Sequence, residues 1–456
     1  MNTEQSKGSG FSSKAGVILA TAGSAIGLGN IWKFPYVAGE NGGGAFLIIY
    51  LLCVLLFGVP LMTTELLIGK NSGKSAYNAF RTISGNNRWQ WLSWWTIIGI
   101  YILMGFYFVV TGWCGNYLYE AVTNAYAGLD ATGLSQHFGE TVSNPWRMII
   151  CGLLPILFTA AVLWFDVSKG IERLSKILMP LLLVMMVFMA VYVLTLDGSR
   201  EGLRFLFKID FSQITPEVVM MAVGQCFFSL SVGLGVLITY GAYMPKTQDA
   251  TTTSLHVVIL DTLVAVLAGI IIFPAVFSFG CDPQEGPELV FVALPAVFQK
   301  MSFGRLIGVT FFLLLFIAAI TSTISIMEVA VASLRESSHG KLNRHRCVLI
   351  VTAIASVLMT LCVLSMTEIW SWLSIGGRNL FEWSDTLVTT YIMPFGALCM
   401  SLFVGWFMPK KDIEIAPNSL KRWQRWLRPG MIFALRWLVP TGILLIFLNG
   451  LGLFGH

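Results

Sequence analysis

Charge is scarce in this chain. Of 456 residues only 12% are Asp, Glu, Lys or Arg, where soluble globular domains carry about 25%. Hydrophobic residues make up 56% and the mean hydropathy is +0.75, so a water-soluble globule is excluded. Chemistry-bearing residues are sparse too. The five histidines (His137, His256, His339, His345 and His456) show no H-E-x-x-H or other ligand spacing, and a transition-metal centre is not expected. No Ser, His and Asp fall at a common depth along the apolar segments, so nothing supports an enzyme. The eight cysteines lack metal or redox spacing. Most sit inside apolar runs (Cys53, Cys114, Cys151, Cys226, Cys362 and Cys399) and read as small packing residues. Gly69-Lys70-Asn71-Ser72-Gly73-Lys74-Ser75 nearly matches a phosphate loop, but it is one residue short and follows a long apolar helix, not a strand. It reads as a basic turn. The polar start, Met1 to Lys14, and the lack of a small-residue exit after the first apolar run argue against a cleavable leader.

Long apolar runs are what the chain has in abundance. Eleven are long enough to cross a bilayer, at about 20 residues each. They cover 15–37, 43–69, 92–124, 147–165, 171–196, 216–243, 255–279, 304–334, 346–365, 379–407 and 431–453. The fold class is therefore all-α, polytopic and membrane-spanning. With the N-terminus placed inside, internal segments hold twenty Lys and Arg and external ones seven. That asymmetry predicts a cytoplasmic tail over 1–14, a C-terminus outside, and residence in the plasma or inner membrane.

Two of the runs are interrupted. The first contains Gly23-Ser24-Ala25-Ile26-Gly27-Leu28-Gly29-Asn30, and the second contains Ser231-Val232-Gly233-Leu234-Gly235. Unwound backbone in hydrocarbon is costly unless it faces protein or a polar cavity. Interruptions at corresponding places in two halves point to a transporter substrate site. The first break alone also fits a packing kink; its recurrence favours the site. Freed carbonyls at Gly23, Ala25 and Ile26, with the Asn30 amide oxygen, suit a sodium ion, a hard cation that prefers oxygen. The half-helix starting near Gly29 aims N–H groups at the gap and suits a carboxylate. Ser229 precedes the second break, offering hydroxyl and carbonyl. Asp261 lies inside an apolar run, where a carboxylate by default lines a site and has a partner. Thr321 and Ser322, one turn after the Ala318 carbonyl, either complete an oxygen cage or bond back onto their own helix.

Gly23 through Pro35, Glu40-Asn41-Gly42-Gly43-Gly44-Ala45-Phe46, Lys169-Gly170-Ile171-Glu172-Arg173 and Gly224-Gln225 through Gly235 together resemble the signature of the neurotransmitter:sodium symporter family. The likeness covers nearly the whole chain and is closest to the prokaryotic amino-acid members with eleven spans. It implies a five-plus-five inverted repeat, 15–196 and 216–407, with discontinuous helices 1 and 6 and an appended helix 431–453. The 206-residue separation of Gly27 from Gly233 suits that layout. It implies a sodium-coupled symporter working by alternating access, with a small L-amino acid, sodium and lipid as partners and no nucleic acid. Sodium site 1 would use the Ala25 carbonyl, Asn30, Ser229, Asp261 and the substrate carboxylate. Site 2 would use the carbonyls of Gly23, Ile26 and Ala318 with the hydroxyls of Thr321 and Ser322. The substrate pocket would be lined by Ser24, Ala25, Gly29, Leu103, Tyr107, Phe228, Ser231, Leu234, Ser322 and Ile326. Tyr107 would donate to the substrate carboxylate, and Phe228 would form a thin outer lid. Lys33 and Asp385 would form the outer gate, and Glu336 the acid of the inner one.

Departures from the family pattern sharpen these expectations. Gly27 stands where transporters of biogenic amines carry an aspartate, which favours α-amino acids. Leu103, Phe228, Leu234 and Ile326 would form an apolar wall. Such walls sort substrates by only about 1–3 kcal/mol per methylene, so a range of hydrophobic and aromatic L-amino acids is expected. Chloride-dependent relatives have serine where Ala265 lies, beside Tyr50, Gln225 and Ser229. With alanine there and Asp261 one turn away, a permanent carboxylate balances the sodium charge, and transport without a chloride requirement is expected. At the inner gate Gly8 replaces the usual arginine, with Lys7 adjacent, and Phe11 replaces a tryptophan. Gly170 and Pro180 have a family spacing suited to unwinding of the fifth span, or mark an ordinary helix start and kink. Two other functions stay open: a sodium-coupled transporter of another small solute, and an amino-acid-gated channel or sensor.

Overall fold

The computed structural model describes residues 10–280, 282–283, 289–408 and 429–450. Eight continuous helices are long and apolar enough to cross a membrane. They are Gly44–Ser72, Gln90–Thr123, Pro145–Leu163, Lys169–Val193, Ala250–Ser278, Gly304–Ser337, Arg344–Ser365 and Leu380–Phe407, which form spans 2–5 and 7–10. Span 1 is a pair, Lys14–Ala25 and Gly29–Glu40, bent by 48° at the break. Span 6 is Pro216–Ser229 followed by Val236–Ala242. Span 11 runs from Ala434–Leu438 into Val439–Gly450. Each of the eleven apolar runs is thus helical, and the described residues contain no strand beyond one isolated bridge, Ile375 to Arg378. This follows from the solvent: a spanning segment in hydrocarbon must satisfy its own backbone. Where helices begin at the polar boundary, side-chain oxygens of Ser13, Asn144, Asp249 and Asn343 accept the first free N–H groups.

Four connecting segments are also helical: Ala79–Ser84, Ala131–Ser143, Ser199–Phe207 and Leu289–Lys300. Each is too short to cross a bilayer and lies between the apolar runs. They still bury surface. Ser199–Phe207 lies so close on span 7 that a methyl on Gly202 would sit 2.3 Å from the Pro274 nitrogen.

Burial separates the spans into centre and rim. The most apolar windows of spans 3 and 8 are 83% and 78% buried, and those of spans 4 and 5 only 33%. Spans 4 and 5 therefore present apolar side chains outward, as lipid-facing helices do. Spans 1 and 6 lie inside and carry the breaks. At the first, Ile26 turns extended (φ −70°, ψ 103°) and ends the helix. The Gly27 carbonyl then accepts both the Asn30 and Ile31 N–H groups, and the chain restarts as a wide turn over Gly29–Lys33. At the second, Ser231, Gly233 and Gly235 have φ of 53°, 94° and 71°. Gly233 is required on two counts: its left-handed φ, and a Cβ that would stand 2.2 Å from the Met393 carbonyl oxygen of span 10. Its freed N–H donates to buried Glu65 of span 2 at 2.6 Å. Lys7, Gly8 and the basic residues of 410–428 lie outside the described residues.

Candidate functional site

The two breaks meet. Ser231 Oγ donates to the Ser24 carbonyl at 3.1 Å, and Gln225 Nε2 donates to the Gly29 carbonyl at 2.6 Å. The Ser24 carbonyl, freed by unwinding span 1, is thereby satisfied from span 6, which removes much of the penalty for opening it, while the Gly29 carbonyl also accepts the Phe34 N–H.

Around this junction Asn30, Ser229 and Asp261 converge. The Asn30 side-chain nitrogen donates to Ser229 Oγ at 2.9 Å, to Asp261 Oδ1 at 2.9 Å and to the Asp261 carbonyl at 3.0 Å. Ser229 Oγ donates to Asp261 Oδ2 at 2.8 Å, and Tyr50 donates to Ser229 Oγ at 3.3 Å. All are buried, Asp261 fully. One detail differs from the sequence expectation. The Asn30 oxygen, expected to face a cation, accepts the Gly27 N–H at 3.2 Å, while its nitrogen faces the carboxylate. The physical reason is charge: an amide N–H₂ next to Asp261 is favourable, and a cation there would reverse the preference by turning the amide over. With the Asn30 amide turned over every donor would be oxygen, with one carboxylate, a set that fits a hard monovalent cation. Ala25 lines the neighbouring cavity.

The second set is looser. Thr321 Oγ1 donates to the Ala318 carbonyl at 3.0 Å, and Ser322 Oγ donates to the Ser24 carbonyl at 3.4 Å. The Ala318 carbonyl is thus already engaged, as the back-bonding alternative anticipated. A methyl on Gly23 would lie 3.5 Å from Thr321 Cβ, so the first half of span 1 faces span 8 there. Ile26 is buried at the break itself.

All ten expected pocket residues line one cavity: Ser24, Ala25, Gly29, Leu103, Tyr107, Phe228, Ser231, Leu234, Ser322 and Ile326. Gly27, Val236 and Met393 complete it. Its volume is about 20 Å³, roughly the room one water needs, so the walls close on one another and must part for an amino acid. Tyr107 accepts the Leu28 N–H at 3.3 Å, placing its hydroxyl at the start of the second half of span 1. Gly27 is crowded: a Cβ would stand 2.3 Å from Ser322 Oγ and 2.9 Å from the Tyr107 hydroxyl.

Toward one mouth, Lys33 Nζ lies 3.7 Å from Asp385 Oδ1 and 4.5 Å from the centroid of the Phe228 ring. The expected gate cation therefore sits over the expected lid. Beyond it a cavity of about 340 Å³ is lined by Tyr36, Met221, Gln225, Phe227, Thr389 and other residues. At the other mouth, Glu336 Oε1 accepts the Ser75 N–H at 2.8 Å. The near-match to a phosphate loop thus ends in an N–H donor to the acid expected at the inner gate. Gly69 of that motif is a packing residue on span 6, where a methyl would collide with the Ile238 carbonyl.

Among the buried acids that sequence reasoning missed, two touch span 6 or the residue that follows it. Glu65 holds the Gly233 N–H. Glu328 accepts from Arg344 through Nη1 at 3.0 Å and Nη2 at 2.7 Å, and from the Tyr243 hydroxyl at 2.6 Å. Both stand inside apolar runs, and the rule that singled out Asp261 marks them equally. Val236 and Met393 carried no such signal.

The sequence profile of the sodium:neurotransmitter symporter family matches residues 9–132 and 125–453. Over 446 residues the chain is 35% identical to the uncharacterized sodium-dependent transporter YhdH of Bacillus subtilis (strain 168), covering 97% of this chain and 98% of that protein. An uncharacterized sodium-dependent transporter of Haemophilus influenzae (strain ATCC 51907 / DSM 11121 / KW20 / Rd) is 30% identical over 469 residues, covering 99% and 100%. The crystal structure of MhsT in complex with L-phenylalanine superposes with a TM-score of 0.88 at 37% identity, over 97% of this chain and 99% of that one.

Proposed function

The chain belongs to the sodium:neurotransmitter symporter family, a sodium-dependent membrane transporter and not an enzyme, and from that premise we propose that it imports hydrophobic and aromatic L-amino acids with two sodium ions and no chloride requirement. The observation that carries the reading is adjacency. The apolar cavity walled by Leu103, Phe228, Leu234 and Ile326 abuts the Asn30–Ser229–Asp261 cluster through Gly27, whose N–H donates to the Asn30 side chain, and Gly29, where a methyl would lie 3.2 Å from the Ser229 Cα. An amino acid laid there would direct its carboxylate at the start of the second half of span 1, where it would compete with Asn30 and Tyr107 for the N–H groups of Gly27 and Leu28. Its side chain would face the apolar wall. MhsT, bound to L-phenylalanine, supports the class of side chain.

Coupling follows from shared ligands. A sodium ion in the first cluster would take oxygens of Ala25, Asn30, Ser229 and Asp261 and complete its shell with the substrate carboxylate. Each species then raises the affinity for the other by the same factor. A second ion would use Gly23, Ile26, Ala318, Thr321 and Ser322, bridging the mobile half-helix to span 8. Asp261 supplies a fixed negative charge, and Ala265 one turn away offers no hydroxyl to an anion. In this reading the two five-span units are inverted repeats, the Lys33–Asp385 mouth is external, and the Glu336 mouth is cytoplasmic. Each net charge moved inward gains about 2.3 kcal/mol per 100 mV.

A scintillation-proximity screen of the twenty amino acids with and without sodium tests the reading. Sodium-dependent binding of leucine, phenylalanine or tryptophan is expected. Binding that ignores sodium, or that favours small polar solutes, would overturn it.

A further inference from the structure

The first half of span 1, Lys14–Ala25, has twelve residues. At about 1.5 Å rise per residue it is roughly 18 Å long, with the break at one end and a free N-terminus at the other. That free end is held in an unusual way. Ser13 Oγ accepts the Gly16 N–H at 3.0 Å, the ordinary helix cap. A carboxylate from another span then binds the cap. Glu172 Oε2 accepts the Ser12 N–H at 2.6 Å, and Oε1 accepts the hydroxyls of Ser12 at 2.8 Å and Ser13 at 2.7 Å. Lys176 Nζ, one turn on, lies 2.7 Å from the same oxygen. Glu172 is buried. The approach is possible only because Gly16 has no side chain: a Cβ there would stand 2.1 Å from Glu172 Oε1.

Glu172 closes the wide turn Ser168–Glu172 that opens span 5. Its own N–H reaches back to the Val167 carbonyl at 3.0 Å, a five-residue step in place of the α-helical four. Gly170 within that turn packs against the Val162 carbonyl, which a Cβ would approach to 2.4 Å. The same span touches the half-helix again near its far end, where a methyl on Gly23 would lie 3.4 Å from Met179 Sδ. The half-helix is thus pinned by span 5 at its N-terminus and packed beside it near the break. The carboxylate also lies on the positive end of the helix dipole, where negative charge is favoured.

We infer that Glu172 is a positioning residue for transport: it latches the first half of span 1 to span 5 through Ser12 and Ser13, and loss of that carboxylate frees the half-helix. The consequence for transport rests on the function proposed above, because the Gly23 and Ile26 carbonyls assigned to the second sodium ion ride on the latched element. The latch itself does not rest on it.

Hydrogen–deuterium exchange on the full chain in nanodiscs, without sodium or amino acid, separates the two. In Glu172→Gln the amide keeps the shape but loses the charge and one acceptor. Exchange of a peptide covering 13–25 is expected to rise by more than about fivefold over wild type, with 34–40 and span 8 unchanged. Glu172→Asp, which keeps the charge, should fall between the two. In proteoliposomes Glu172→Gln should raise the sodium concentration for half-maximal uptake more than it changes maximal rate. A rise of about fivefold or less over 13–25, or an equal rise over 34–40 and span 8, would overturn the latch. Sodium-independent uptake by the wild type would overturn the proposed function and leave the exchange result standing.

Discussion

Ser231 and Ser24, 207 residues apart, meet across the centre of the molecule, the hydroxyl of one donating to the carbonyl of the other at 3.1 Å. Ser231 reaches it from a left-handed conformation (φ 53°) that a serine adopts only when its surroundings hold it there. Gln225 makes the companion bond to Gly29. Both bonds run from span 6 donors to span 1 carbonyls and tie the two broken spans at one junction. A ligand between them acts on both at once.

Replacing Asp261 with alanine is expected to abolish sodium-dependent substrate binding. The Asn30 amide and Ser229 hydroxyl each lose an acceptor in a buried site, a loss of about 1–3 kcal/mol per orphaned group. Asp261→Asn keeps the size and one oxygen but removes the charge; it should fold, and its sodium affinity should drop by at least about tenfold. Radioligand binding over a sodium titration checks both. A normal sodium dependence in either variant would show the first cluster to be misassigned.

Gly27→Asp should not convert the site to amine binding. The new Cβ alone would stand 2.3 Å from Ser322 Oγ and 2.9 Å from the Tyr107 hydroxyl, before any carboxylate is placed. The expected outcome is loss of amino-acid binding with no gain of an amine such as tyramine. Gly27→Ala should be impaired nearly as much, since the clash begins at the first carbon. A binding screen of both variants against amino acids and amines decides; amine binding by the aspartate variant would show that the pocket yields.

Tyr107→Phe removes one hydroxyl from the start of the second half of span 1, where it accepts the Leu28 N–H. If it also serves a substrate carboxylate, the charge-assisted bond contributes about 1.5–3 kcal/mol. Affinity should then fall about tenfold to a hundredfold. Competition binding with L-phenylalanine measures it, and a change of under threefold would remove Tyr107 from the carboxylate's shell.

The spans and the two breaks are legible in the sequence because each leaves a local mark, an apolar run, a glycine cluster or a charge out of place; the ten pocket residues are legible only through the family resemblance, since Leu103 or Ile326 leaves no mark of its own. Val236 and Met393 are not, because an aliphatic residue in an apolar helix looks the same facing lipid, core or cavity; only the folding of span 10 onto Gly233 brings Met393 in. The grouping of Asn30 with Ser229 and Asp261 is legible, but not the orientation of its amide, which depends on whether a carboxylate or a cation faces it. Glu65 and Glu328 carried the same mark as Asp261. Their roles were hidden because their partners, the Gly233 N–H and Arg344, lie 168 and 16 residues away on other elements.

Uptake should be equal in chloride and gluconate media at constant sodium. Asp261 is a built-in anion, Ala265 offers no hydroxyl, and the nearby Ser229 hydroxyl is already donated to the carboxylate. Ala265→Ser together with Asp261→Asn should shift the balance, giving uptake stimulated by chloride. A fall of more than about half in gluconate for the wild type, where the fixed charge should suffice, would show that a mobile anion contributes.

The Glu328–Arg344 pair ties four elements at the mouth carrying Glu336. Glu328 comes from span 8, Arg344 starts span 9, Tyr243 follows span 6, and Arg344 Nε donates to the Leu163 and Phe165 carbonyls after span 4 at 3.0 and 3.1 Å. Glu328 is fully buried and the Arg344 side chain is 13% exposed. Breaking such a pair from one side leaves an uncompensated charge, a loss of about 3–5 kcal/mol. Glu328→Gln should therefore lower the melting temperature and favour opening of this mouth, while Glu328→Gln with Arg344→Met should recover much of the stability because no charge is stranded. Recovery of stability without recovery of transport would assign the pair to closing the mouth. If the double variant melted no higher than the single one, the loss would come from the Tyr243 and carbonyl contacts and not from the stranded guanidinium. Thermal melts of the purified single and double variants, read beside sodium-driven uptake, separate these two causes.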